Sequence, residues 1–68
     1  MNLIPVSSSN ISSIGYERGT LYVRFHSGQM YAYFNVPEII YNNLMNASSK
    51  GKYFEAHIKN NYRYAKIS

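Results

Sequence analysis

Apolar and polar positions alternate on either side of Ser27-Gly28, in the stretch Leu21-Tyr22-Val23-Arg24-Phe25 and again in Met30-Tyr31-Ala32-Tyr33-Phe34. A period of two with β-branched and aromatic residues around a Ser-Gly pair predicts a β-hairpin. If Ser27 and Gly28 form a two-residue turn, His26 faces Gln29, Arg24 faces Tyr31 and Tyr22 faces Tyr33. Leu21, Val23, Phe25, Met30, Ala32 and Phe34 then share the other, apolar face. A looser turn over His26-Ser27-Gly28 shifts the register by one residue and sends Tyr31 and Tyr33 towards the core instead.

Upstream, residues Ile11 to Arg18 predict another strand, with Gly19 at the turn that follows. Ile11 and Ile14 are three apart, which breaks strict alternation, and a bulge near Ser12-Ser13 would reconcile them. Met1 to Asn10, ending in Ser7-Ser8-Ser9-Asn10, looks like a lead-in with little regular structure. The period changes at Asn35-Val36-Pro37-Glu38. Proline suits a first helical turn, and Glu38 complements the positive end of a helix dipole. Ile40, Leu44 and Ala47 then recur at helical spacing, so a helix is expected from about Pro37 to Ala47. A second is expected from Ser49 or Lys50, carrying Tyr53, Phe54 and Ile58, with Asn60-Asn61 near its end. The tail Tyr62-Arg63-Tyr64-Ala65-Lys66-Ile67 reads equally as an extended arm, a short edge strand or more helix. The fold class expected is α+β, a three-stranded antiparallel β-meander followed by two helices packed on one face. Its core should hold Ile14, Leu21, Val23, Phe25, Ile40, Leu44, Phe54 and Ile58.

Composition narrows the picture. A single domain of 68 residues lies near the lower limit for burying a self-sufficient core, and small domains are often stapled or paired. Cysteine is absent, which excludes disulfides and thiolate metal sites and leaves a homo-oligomer as the expected remedy. Four lysines and three arginines outweigh three glutamates, a net charge of +4. That balance favours an anionic partner, the phosphate of a nucleotide or nucleic acid, although solubility alone also accounts for it. No secretory signal is recognisable and no apolar run would span a bilayer, so a soluble cytoplasmic protein without a membrane partner is expected.

Three groups of residues are candidate ligand sites. Tyr22, Arg24, Tyr31 and Tyr33 offer rings for stacking and a guanidinium for phosphate, unless helices cover the tyrosines. Ser48-Ser49-Lys50-Gly51-Lys52 places Lys50 and Lys52 at a helix start, which is an anion site or an ordinary serine cap with solvated lysines. It lacks the glycine spacing of a Walker loop. Lys59, Tyr62, Arg63, Tyr64 and Lys66 interleave cations with aromatic rings, suiting a nucleotide, a tail pinned to the core or a subunit seam. His26 and His57 have no nearby carboxylate or cysteine in sequence, so neither a metal site nor a cofactor is expected. Glu17, Glu38 and Glu55 fall on different elements, and no nucleophile–base pair is visible, so the chain is not expected to be an enzyme.

An ordered set of short matches resembles the KTSC domain, which occurs at the carboxyl terminus of some lysyl-tRNA synthetases and as small stand-alone proteins. The set comprises Ser8 to Tyr16, Leu21 to Phe25 before Gly28, and the central Tyr31-Ala32-Tyr33. Val36-Pro37 with Tyr41 and Leu44, Ser48 to Phe54, Ile58-Lys59 and Tyr62-Arg63-Tyr64 complete it. The resemblance implies an RNA-binding role. Small phage proteins of this size also act as sponges for nucleotide immune signals. The expectation is therefore a non-enzymatic nucleotide-binding protein, a homo-oligomeric sponge for cyclic or modified nucleotides of the anti-defence type. An RNA-binding accessory domain and a protein-interaction module using the tyrosines as hot spots are the rivals.

Overall fold

In the computed structural model, which describes residues 2–68, the chain runs β1 (Ile4–Pro5), β2 (Ile11–Glu17), β3 (Thr20–Phe25), β4 (Met30–Tyr33), α1 (Glu38–Asn46), α2 (Lys50–His57) and β5 (Tyr64–Lys66). The fold is α+β, with one antiparallel sheet in the order β1-β2-β3-β4-β5. The three expected strands form its middle. The correction is at both edges: the lead-in contributes β1, paired with Ile14 and Ser13, and the tail contributes β5, paired with β4. Of the three forms open to the tail, a short edge strand is the one adopted.

Two turns set the register of the centre. Arg18 and Gly19 have φ of 52° and 82° between the paired residues Glu17 and Thr20. Positive φ at both central residues is the two-residue hairpin turn whose twist matches that of the strands. The Ser27-Gly28 turn differs. Gly28 has φ +96° but Ser27 does not enter the positive-φ region, where a serine side chain would meet backbone. The loop closes over three residues instead, with Gly28 N–H donating to the Phe25 carbonyl at 2.9 Å and Phe25 N–H donating to the Gln29 carbonyl at 2.8 Å.

The pairs are consequently Leu21 with Tyr33, Tyr22 with Ala32, Val23 with Tyr31 and Arg24 with Met30. The pairing of Arg24 with Tyr31 and of Tyr22 with Tyr33, expected from a two-residue turn, is corrected by one residue. That slip moves Tyr31 and Tyr33 to the face of Leu21 and Val23, because opposite residues share a face.

Between Ile11 and Ser13 the β2–β3 register shifts, the bulge expected near Ser12-Ser13. One extra residue lets Ile11 and Ile14 point the same way, and both are fully buried. Both helices lie on this face. Leu44 of α1, Phe54 of α2 and Ile58 beyond it join Ile11, Ile14, Leu21, Val23, Tyr33 and Val36 in one cluster. Phe25 and Ile40, expected inside, are partly buried and pack against its rim, while Ile11, Tyr33 and Val36 take buried places. Tyr16 of β2 stacks on Tyr41 of α1 at 4.9 Å and donates its hydroxyl to the Val36 carbonyl. Such ring pairs add about 0.5–1.5 kcal/mol beyond the area they bury.

Pro37 sits at the N-cap of α1, and Glu38 lies in its first turn. Helix α2 begins where Ser49 accepts a hydrogen bond from the Lys52 amide, and it ends at His57, ahead of Asn60-Asn61. The Asn61 side chain donates to the His57 carbonyl at 2.8 Å, occupying an acceptor that the helix end leaves open.

Candidate functional site

The strand alternation builds an aromatic cleft. Tyr31 and Tyr33 project from β4 on the helix-covered face, and β5 sets Tyr64 opposite Tyr33 and Lys66 opposite Tyr31. Ring centroids lie 6.5 Å apart for Tyr31–Tyr33, 5.8 Å for Tyr31–Tyr64 and 5.6 Å for Tyr33–Tyr64. Phe25 meets Tyr31 edge-on at 5.9 Å and Phe54 at 5.7 Å, and Phe54 meets Tyr33 at 5.3 Å. These rings form the wall of an open cleft of about 510 Å³ between the sheet and α2, with Lys59, Glu55, His26, Gln29, Asn10 and Asn60 among its polar lining. A volume of that order suits a small molecule.

Exposure is graded along the wall. Tyr33 is 4% exposed at the base, Tyr31 is half-buried, and Tyr64 at the mouth is 58% exposed. Burial pushes the Tyr33 phenol up to about 12, and the neighbouring Tyr31 and Tyr64 phenols add to the effect. His26 Nε2 lies 2.9 Å from the Ser8 carbonyl. A carbonyl can only accept, so this nitrogen carries the proton and the ring ties the lead-in to the β3–β4 turn.

The expected site residues divide into separate sets. Tyr31, Tyr33, Tyr64 and Lys59 converge on the aromatic cleft. Lys50 and Lys52 line an adjoining hollow beside the serines, where Lys50 Nζ donates to the Ala47 carbonyl at 3.0 Å and so closes the end of α1. Tyr62 is half-buried against the core and Arg63 is exposed. Tyr22 and Arg24 stand on the opposite face of the sheet, where an Arg24 guanidinium nitrogen reaches Met30 Sδ at 3.8 Å. The four-residue surface of Tyr22, Arg24, Tyr31 and Tyr33 is thus split by the register correction.

Sequence reasoning assigned Phe25 and Phe54 to the core, yet both also line the cleft, as do Asn10 and Gln29. The signal for the polar pair was their position flanking strand ends. No group of three or more His, Cys, Asp or Glu side chains that could hold a metal is present among the described residues. No helix among them is long and apolar enough to cross a membrane.

The model of the KTSC domain matches residues 7–62. This chain belongs to the KTSC domain family. The KTSC chain is 40% identical over 68 residues to a lysine–tRNA ligase of Nostoc sp., a match that takes in 97% of this chain and 12% of the ligase. It therefore spans only a small part of the ligases it matches. It is also 37% identical over 70 residues to an uncharacterized protein of Stutzerimonas stutzeri, covering 98% of this chain and 99% of that protein. Among solved structures, a KTSC domain protein from Yersinia pestis superposes with a TM-score of 0.91 at 41% identity, covering 98% of this chain and 97% of the other. The resemblance read from the short motifs is thus established as family membership.

Proposed function

We propose that this KTSC protein is a non-enzymatic binder of a planar, phosphate-bearing ligand of the nucleotide class, held in the cleft between β4, β5 and α2. The observation that carries this reading is the convergence of Tyr31, Tyr33 and Tyr64 within 6.5 Å of one another on the wall of the 510 Å³ cleft, with Lys59 in the same lining. A base stacked on a ring contributes about 1–3 kcal/mol, and a lysine supplies the charge that a phosphate requires. Burial raises the pKa of the Tyr33 phenol to about 12, His26 Nε2 is engaged at the Ser8 carbonyl, and Glu55 lies in the same lining.

The narrow form of the proposal is a homo-oligomeric sponge that sequesters a cyclic or modified nucleotide signal. Its support is the openness of the cleft at Tyr64: 68 residues enclose a small ligand poorly, and a second copy would close the mouth. The reading of RNA binding draws on a different observation, the presence of the matching segment in lysine–tRNA ligases. It predicts affinity that rises with oligonucleotide length and falls steeply with salt.

Isothermal titration calorimetry with the four nucleoside 5′-monophosphates tests the core of the proposal, and native mass spectrometry of protein purified from a nucleotide-rich extract tests the sponge. Tyr31→Leu should weaken binding by about 1–3 kcal/mol, while Tyr22→Leu leaves it unchanged. Equal losses in both variants, or no binding to any nucleotide, would reject the cleft as a base site.

A further inference from the structure

The aromatic cleft does not end at α2. A second, more polar hollow of about 850 Å³ opens beyond it, lined by Ser7, Ser8, Ser49 and Lys52 among others. Ser9, Asn10, Gly51 and Glu55 belong to both linings. Gly51 therefore stands at the neck between a ring-walled hollow and a hydroxyl- and lysine-walled one.

Backbone conformation does not explain this glycine. Gly19 and Gly28 have positive φ, whereas Gly51 lies in the first turn of α2 without one. Glycine is unfavourable in a helix relative to alanine. A β-carbon at Gly51 would lie 3.8 Å from Ser8 Oγ and 3.8 Å from Asn10 Nδ2, ordinary contact distances. A longer side chain would continue in the same direction, towards the lead-in residues that line the passage. What glycine provides here is an open neck.

We infer that the ligand is a dinucleotide-sized phosphodiester lying across both hollows. This rests on the aromatic cleft being a base site. One base lies against Tyr31 and Tyr64, the bridging phosphate passes over Gly51, and the second nucleotide lies among the serine hydroxyls. Lys50 is tied to the Ala47 carbonyl, so Lys52 is the cation assigned to the distal phosphate. Asn10 and Ser9 supply donors at the neck, and the Glu55 carboxylate accepts from a sugar hydroxyl. Each hollow has the volume of one small-ligand site, and a ligand of two linked units matches two linked hollows.

The test is calorimetry on the full chain, with the four nucleoside 5′-monophosphates, the matching linear 5′-phosphorylated dinucleotides and the matching cyclic dinucleotides. Tethering predicts that at least one dinucleotide binds about tenfold or more tightly than its mononucleotide. Gly51→Gln and Lys52→Gln should both remove that gain, with Lys52→Gln, outside the aromatic cleft, holding mononucleotide affinity within about twofold and Gly51→Ala retaining the gain. A cyclic preference identifies a cyclic signal as the source and a linear preference identifies RNA; both agree with the two-hollow site. Mononucleotide binding with no dinucleotide gain, or a gain that survives both variants, overturns this inference and leaves the base site standing. Absence of binding by every compound overturns both together.

Discussion

The two faces of the central sheet are built from alternate residues of the same strands, yet they do different work. On the helix side, Tyr31, Tyr33 and Tyr64 descend from an exposed mouth to a buried base and merge into the core through Phe54. On the other side, Tyr22, Arg24 and Met30 lie half-buried above small residues, Gly15 and Ala32 being opposite and next to Tyr22 in register. An antiparallel sheet tolerates one face without a covering layer. Phenol rings border a cleft only where a second layer supplies an opposite wall. Here that wall is α2, and which tyrosines it meets depends on a single residue of register.

The largest expected contrast is in stability. Tyr33→Ala should cost about 3–5 kcal/mol, since it removes a large buried ring, and Tyr22→Ala should cost less than half of that. Urea unfolding of both variants measures the difference, and equal costs would erase the distinction between the faces. The Tyr33 phenol gives the same contrast a pH axis. Burial raises its pKa in the folded chain to about 12, above the 10.0 of an exposed tyrosine. Between these values the unfolded chain releases the proton while the native chain retains it, so stability falls as pH rises through that window. Tyr33→Phe should flatten this fall and remove an absorbance step near pH 12.

A smaller contrast concerns ligand. Lys59→Gln should weaken nucleotide binding and lessen its salt dependence, whereas Arg24→Gln, on the face away from the cleft, should alter neither. Calorimetry at two ionic strengths measures both, and a larger effect at Arg24 would transfer the site to the other face. Smallest is the turn that sets the register. Gly28→Ala should cost about 1 kcal/mol, because alanine is strained at φ +96°. A neutral result in thermal unfolding would show that the three-residue loop is not what holds Tyr31 and Tyr33 in place.

Much of this was legible in the chain. Ile11 and Ile14 at a spacing of three announced the bulge, Pro37-Glu38 announced α1, and Ser49 announced the start of α2, because each depends on local chemistry. The hairpin register was legible only as a choice between two turns, and the local steric cost of positive φ at Ser27 favours the three-residue loop, with Gly28 at its positive-φ position. β1 was missed for another reason. Ile4 and Pro5 carry no strand pattern of their own and pair because β2 has a free edge. The site inherited these errors. Tyr31, Tyr33, Tyr64 and Lys59 are legible as candidates, and the looser turn already implies that Tyr31 and Tyr33 part from Tyr22 and Arg24, but nothing in the pattern places Phe25 and Phe54 on the cleft wall.

The central claim is that the helix-side rings, and not those of the open face, receive a nucleotide. Titrating a nucleoside 5′-monophosphate into protein with isotope-labelled tyrosines and following each ring by NMR tests it most directly. The account predicts shifts at Tyr31 and Tyr64 that saturate together, with Tyr22 unmoved. Saturating shifts at Tyr22, with Tyr31 and Tyr64 still, would contradict it.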